Sequence, residues 1–368
     1  MGLISIFIPV YRESDMLEDL LEDLLEDPYE DKEIFVIIDE PSLKSLRLIE
    51  KFGGNVNFVL NGERRGKAKV LNDTVEDSSG DILLFLDADV AIDRESGDFL
   101  KKVSDSLEKA DIVEIKKGVV RDSILARIVS YDYLGFSSTN WFFSRFLGKC
   151  LGFNGAAFAI RREAFNSLGG FRRTICEDLD MGLRSFLKDL KFKFLVDANV
   201  YTKAPSSWRE WFKQRKRWGI GAALWLKENY RSLLGIVREY PKILLSLLLL
   251  FPSLPTAMSI LIIPEDIYVK IAYILFFILS TRASILLPPT AFASTTLSII
   301  KNMLMTVSSL LAYLSLFYIL AQKMNFPFNP LEFTFYYLIY SPLWLITVAA
   351  SIARLLLKPE WINIDWKV

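Results

Sequence analysis

Short apolar runs alternate with amphipathic stretches through the first third of the chain. LISIFIPV, EIFVIID, NVNFVL, DILLFLD and DIVEIKK read as strands, with helices between them that begin near Ser14, at Lys67 and at comparable points. That alternation predicts an α/β fold, a doubly wound parallel sheet wrapped by helices. Ligands of such sheets lie at the carboxyl ends of the strands. Those ends read Pro9-Val10-Tyr11, Asp39-Glu40 and Asp87-Ala88-Asp89, so polar groups collect along one edge. From Asp122 onward the pattern changes to long aromatic-rich text, YDYLGFSSTNWFFSRFLGKCLGFNG, which is too polar to span a membrane. An interfacial or acceptor-facing element and a buried aromatic helix fit it equally well.

Near Lys242 the chain changes solvent: residues 1–240 carry 75 of the 88 charges and residues 241–368 carry 13. Residues 243–263, 302–322 and 333–353 are each 21 residues without a charge, enough for a helix to cross a hydrocarbon core of about 30 Å. A further candidate, 267–287, holds Lys270 near its start and Arg282 near its end, which makes about four spans. The apolar run at residues 3–10 is too short for a signal peptide and meets Tyr-Arg-Glu at once, so residues 1–240 are expected to stay cytoplasmic. Arg231, Arg238 and Lys242 before the first span, and Arg354, Lys358 and Lys367 after the last, fit a multi-pass protein of the cell membrane with both ends inside. The acidic loop 264–266 would then face out.

The 368 residues sum to zero net charge, with two cysteines, Cys150 and Cys176, and no histidine. A disulfide framework, a four-ligand zinc site and a Ser-His-Asp triad are thereby disfavoured or excluded. Catalysis has to use carboxylates, Lys, Arg, Tyr, Ser, Thr or Cys. Nucleic acid is not an expected partner.

Asp87 and Asp89 end an apolar strand with one alanine between them, and where the strand runs out both can turn toward a cation. A hard divalent ion, Mg²⁺ or Mn²⁺, held by few carboxylates and by substrate phosphates suits such a pair, and so does a plain solvated strand end. NGERRGKAKVLN falls short of a phosphate loop, since Gly62 and Gly66 enclose three residues where that loop needs four and Ala68 follows Lys67. Lys67 at a helix start can still attract a phosphate, while the residues taken alone read more simply as an exposed basic turn. CEDLDMGLR sets Glu177, Asp178 and Asp180 before an amphipathic helix whose apolar stripe is Leu179, Leu183, Phe186, Leu187 and Leu190. Acids there complement the helix dipole, and the same dipole lowers a carboxylate's pKa, which works against a general base.

KQRKRWG, residues 213–219, packs four cations and a tryptophan together. Ser207 and Glu210 form a possible capping box, so a helix is expected from Trp208 through the motif. Its turn sets Gln214, Arg217, Trp218 and Gly221 on one face, a surface able to cover a diphosphate. Lys213, Arg215 and Lys216 lie elsewhere and are expected to rest on lipid headgroups.

Taken in order, IPVYRE, Asp39, GKAKVLN, LDADV, FNGAAFAIRREAFNSLGGF, CEDLDMGLR and QRKRW resemble the membrane-bound family 2 glycosyltransferases, the group of cellulose, chitin and hyaluronan synthases and ceramide glucosyltransferase. Between Asp178 and Gln214 lie 35 residues, as in that group's D, D, D-35-QxxRW pattern, and the resemblance covers about residues 3–220. It implies a GT-A type catalytic domain over residues 1–205, interfacial helices carrying QxxRW over 206–240 and an all-α transmembrane domain over 241–368. Pro9, Tyr11, Glu13, Asp39 and Lys67 would hold the nucleotide, Asp87 would touch its ribose or the sugar, and Asp89, with Asp87, would bind Mg²⁺ or Mn²⁺ on the diphosphate. Asp178 would be the base that deprotonates the acceptor hydroxyl, while Gln214, Arg217 and Trp218 would close over the diphosphate and acceptor. Cys176 stands where the group has threonine, and IIDEPS is looser than its acidic-Gly-Ser turn.

The implied activity is metal-dependent inverting transfer from a nucleotide sugar, UDP-linked, to a lipid hydroxyl at the cytoplasmic membrane face. Elongation of a glycan is the alternative, with polyprenyl-phosphate transfer behind it. A nucleotide-binding transporter or scaffold without turnover is the reading of another class, to which the intramembrane Arg282 lends some support.

Overall fold

A computed structural model describes residues 2–94, 97–262 and 294–357. Five of its strands are the apolar runs anticipated from sequence: β1 (Ile4–Tyr11), β2 (Lys32–Asp39), β3 (Asn57–Asn61), β4 (Ile82–Leu86) and β6 (Ile112–Val120). Three have no counterpart in that reading: β5 (Val90–Ile92), β7 (Ala157–Arg161) and β8 (Phe192–Lys203). They join one sheet in the order β3-β2-β1-β4-β7-β6-β8-β5. The sheet is mixed rather than parallel, because β7 runs antiparallel to both β4 and β6, and β5 antiparallel to β8. Periodicity reports that a strand exists but not its direction, so a parallel sheet was the natural expectation; β3-β2-β1-β4 and the β6-β8 pair follow it, and β7 and β5 run against it.

Register is fixed by phenylalanine. Phe7 pairs with Phe35 on one side and Phe85 on the other, and Phe85 pairs with Phe158. Their rings stack at 5.5, 5.2 and 5.0 Å in turn, a ladder across four strands. Each such contact contributes roughly 0.5–1.5 kcal/mol beyond its buried area, and a slip of one residue would turn every ring to the opposite face. On that opposite face Ile6, Ile8, Val36, Ile38 and Leu84 pack with Leu17, Leu20, Leu21 and Leu24 of α1 (Leu17–Glu26) and with Phe99, Leu100 and Val103 of α4 (Phe99–Leu107). The same register brings Tyr11 level with Asp39, which aligns the strand ends that carry chemistry.

Helices α2 (Leu43–Phe52), α3 (Lys67–Glu76), α6 (Arg162–Leu168) and α7 (Glu177–Leu187) complete the layers, and α5 (Ile124–Phe146) covers β6 and β8. Most of α5 is buried, Tyr131, Tyr133, Leu134 and Phe143 included, so the aromatic-rich text is a buried helix and not an interfacial one. α8 (Trp208–Glu239) starts where anticipated, with Ser207 Oγ accepting the N–H of Glu210. The reciprocal half of the box is displaced by one residue, since the Glu210 carboxylate takes the N–H and hydroxyl of Ser206.

The chain divides into two compact units, Met1–Ser246 with the segment from Ile346, and Leu247–Leu345. The first expected span is not one helix: α9 (Leu244–Leu250) and α10 (Leu254–Ile262) are separated at Pro252, which has no N–H to continue the ladder. Residues 267–287, the loop 264–266, Lys358 and Lys367 lie outside the described residues. The other two spans lie within α11 (Ser294–Lys323) and α12 (Pro330–Leu357), of which Ile299–Lys323 and Pro330–Leu357 are long and apolar enough to cross a membrane. Inside the second unit, Thr256 and Tyr337 each bond Ser309 Oγ at 2.7 Å, and Ser253 bonds Ser341, the hydroxyl pairing that joins helices where water is scarce.

Candidate active site

Asp39, at the end of β2, is buried and spends its carboxylate on the following turn. It accepts the N–H groups of Arg65 and Gly66 at 2.8 and 3.0 Å and the amide of Asn61 at 2.9 Å. Gly66 can close this turn because its φ of 89° costs glycine nothing. α3 therefore starts at Lys67, whose Nζ lies 2.7 Å from Asp87 Oδ1 and 3.3 Å from Glu177 Oε1. Burial disfavours the ammonium, but the two carboxylates outweigh it and hold the lysine pKa above its usual value.

Asp178 sits in the first turn of α7 beside this cluster. Its Oδ2 accepts the N–H of Gly155 at 3.3 Å and its Oδ1 the N–H of Leu179 at 2.8 Å. Burial, then the neighbouring Glu177 charge, push its pKa up to about 6 against the pull of those N–H groups and Lys67. The helix N-terminus was expected to lower it, and burial wins. Pro9, Lys67, Asp87, Gly155, Glu177 and Asp178 line one cavity together with phenylalanines of the ladder. Asp180, by contrast, is buried and fork-bonded to Arg184, a structural pair.

Two residues that sequence reasoning missed support these acids. Ser14 Oγ donates to the carbonyl of Ala88 at 2.6 Å, bracing the Asp87-Ala88-Asp89 turn. Glu114, buried on β6, accepts from Asn140 Nδ2 at 2.7 Å and from the N–H of Asn154, and burial pushes its carboxyl up to about 8. It thereby anchors the 154–156 loop, whose Gly155 N–H meets Asp178 and whose Ala156 carbonyl accepts the N–H of Asp87. A lone glutamate inside DIVEIKK was the one visible signal.

Along the edge beyond the cavity, Tyr11 is half exposed, with the Arg64 guanidinium 4.5 Å above its ring. Glu13 accepts the hydroxyl of Ser42 at 2.6 Å. Arg12 and Glu40 both hold left-handed backbone, φ 62° and 53°, and pair at 2.9 Å. Left-handed backbone costs a residue with a Cβ roughly 1–2 kcal/mol, so this rim carries strain.

Gln214, Arg217 and Trp218 lie on α8, outside the lining of the cavity. α8 runs beside the start of α7, where a Cβ on Gly221 would fall 2.4 Å from Cys176 Sγ. Cys176 takes the N-cap position of α7 without a side-chain cap bond among the described residues, and its sulfur fills the space against Gly221. Lys213, Lys216 and Arg217 are exposed, whereas Arg215 is fully buried and paired with Asp132 at 2.8 Å. Arg215 consequently cannot rest on lipid headgroups.

For a metal, Asp87 offers the oxygen that Lys67 leaves free, and the exposed Asp89 carboxylate makes no ion pair among the described residues. No group of three or more His, Cys, Asp or Glu is arranged to hold a metal ion among those residues. Two hard oxygen donors without a closed cage fit Mg²⁺ or Mn²⁺ completed by substrate phosphates.

Residues 5–169 match the family model described as Glycosyl transferase family 2. The probable glycosyltransferase YdaM of Bacillus subtilis (strain 168) is 24% identical over 235 residues, 59% of this chain and 54% of that protein. Glucomannan 4-beta-mannosyltransferase 9 of Arabidopsis thaliana is 30% identical over 249 residues, 60% of this chain and 44% of that protein. The chain thus spans about half the length of the curated relatives it matches. Mannosyltransferase PcManGT from Pyrobaculum calidifontis, solved in complex with GDP-Man and Mn²⁺, aligns with a TM-score of 0.51 at 18% identity, covering 82% of this chain and 87% of that one. That likeness shows a GT-A-like fold.

Proposed function

We propose that this protein is an inverting glycosyltransferase that moves a sugar from a nucleotide-linked donor, UDP-linked in this reading, to a lipid hydroxyl at the cytoplasmic face of a membrane. The observation that carries the proposal is Asp178: a carboxylate with a raised pKa, held by Gly155 beside the Lys67–Asp87 pair in one cavity. A base working near neutral pH needs such a shift.

Lys67 presents positive charge at a helix N-terminus, where donor phosphates are attracted by the ammonium and by free N–H groups. Asp178 accepts the acceptor's proton as its hydroxyl oxygen attacks the anomeric carbon. The bond to the nucleoside diphosphate breaks in the same displacement, which inverts the anomeric centre. Arg217, with Gln214 and Trp218, covers the diphosphate from α8 and meets its growing charge. Asp87 and Asp89 would hold Mg²⁺ or Mn²⁺, which would supply Lewis-acid compensation of that charge. The apolar α11 and α12 support a membrane setting, which favours an acceptor reached from the lipid plane.

Glycan elongation is the second reading, favoured by the similarity to a glucomannan mannosyltransferase. Mass spectrometry of products formed with Mn²⁺, a panel of nucleotide sugars and a lipid extract separates the two. A single hexose on a lipid supports the proposal, a long ladder supports elongation, and absence of product with every donor rejects both.

A further inference from the structure

Arg215 is a residue of KQRKRWG that the mechanism above leaves unused, and it is the one cation of that run that the fold buries. Its Nη2 lies 2.8 Å from Asp132 Oδ2, and both side chains are almost completely enclosed, at 0% and 2% exposure. The guanidinium carbon lies 4.2 Å from the centre of the Trp218 ring and 5.9 Å from that of Trp211. Arg215 and Trp218 are three apart on α8, so one turn of helix sets the guanidinium of the first over the ring of the second. Asp132 belongs to α5, which also provides Asn140 to Glu114 and so to the loop that holds Asp178. α5 is therefore a shared base for Asp178 and for the α8 face.

A buried ion pair is a poor device for stability, since apolar residues of similar volume serve as well or better. What it provides is position, because a guanidinium tied to a carboxylate on α5 keeps its place over the ring it faces. We infer that Arg215 is a positioning residue for glycosyl transfer: its buried pair with Asp132 locks the Trp218 indole, and with it the Gln214–Arg217 face of α8, in the orientation that covers donor diphosphate and acceptor. The inference rests on the proposed activity for its kinetic part only.

The test uses the full chain in detergent or lipid, labelled with 5-fluorotryptophan, the Trp218 ¹⁹F resonance being assigned by Trp218→Phe. In Arg215→Met/Asp132→Leu, thermal stability stays close to wild type, the Trp218 resonance shifts or broadens, and kcat falls about tenfold or more. Arg215→Lys keeps the charge on Asp132 but not the guanidinium over the ring, and gives the same ¹⁹F change with an intermediate kcat; it decides the matter if the double variant does not fold. An unchanged Trp218 resonance in the folded variants, or wild-type kcat in either, overturns the inference. A wild-type protein that transfers nothing from any donor rejects the proposed function instead, and the ¹⁹F comparison then still decides whether Arg215 orients Trp218.

Discussion

The backbone N–H of Gly155 donates to Asp178 Oδ2 at 3.3 Å, and a Cβ at position 155 would stand 3.1 Å from Asp178 Cβ. The carboxylate is thus located by an absent side chain as much as by a hydrogen bond. Gly155→Ala forces Asp178 aside by a few tenths of an ångström, and displacement at a reacting group is costly, so kcat falls roughly 10- to 100-fold. Nucleotide binding, measured by calorimetry, changes little.

The raised pKa of Asp178 fixes the acid side of the pH profile. Below about pH 6 the carboxyl holds its proton and cannot accept another, so kcat/KM falls as pH drops through that value, above the range of an ordinary aspartate near about 3.9. Stability runs the other way: the folded state binds this proton more tightly than the unfolded chain, so ionising Asp178 costs stability as pH rises through 6. Thermal melts at pH 8 should place Asp178→Asn at or above wild type.

Removing the Lys67 ammonium leaves Asp87 and Glu177 facing each other without their shared cation. Lys67→Met raises the donor KM by about 10- to 100-fold, the worth of a charge-assisted hydrogen bond. Because Lys67 also pulls the Asp178 pKa down, the acid limb of the profile moves to higher pH in this variant. A steady-state pH series on both proteins checks the two effects together.

On α8, exposed neighbours have separate fates. Arg217→Ala lowers kcat far more than Lys216→Ala, whereas Lys216→Ala weakens binding to anionic vesicles, each basic residue near such a surface being worth about 1 kcal/mol. Equal kinetic losses would reduce the motif to a plain basic patch.

Local signals carried well from sequence to structure. The start of α3 at Lys67 and the Ser207 cap of α8 depend on a few neighbouring residues and were legible as such. The pairing of Lys67 with Glu177 was not, because all the elements from β4 to α6 intervene in the chain and only the mixed sheet brings α3 and α7 together. Helical-wheel geometry separated Arg217 from its neighbours, yet it could not tell that the face holding Arg215 meets Asp132 rather than lipid. The same limit applies to Asp178, where position in the helix argued for a lowered pKa and tertiary burial reversed it.

The central claim, that Asp178 is the base of a glycosyl transfer, is tested most directly by Asp178→Asn in the full-length protein. Calorimetry with UDP and Mn²⁺ should give wild-type affinity, while sugar transfer to any acceptor drops to background. Transfer at the wild-type rate in Asp178→Asn would contradict the account.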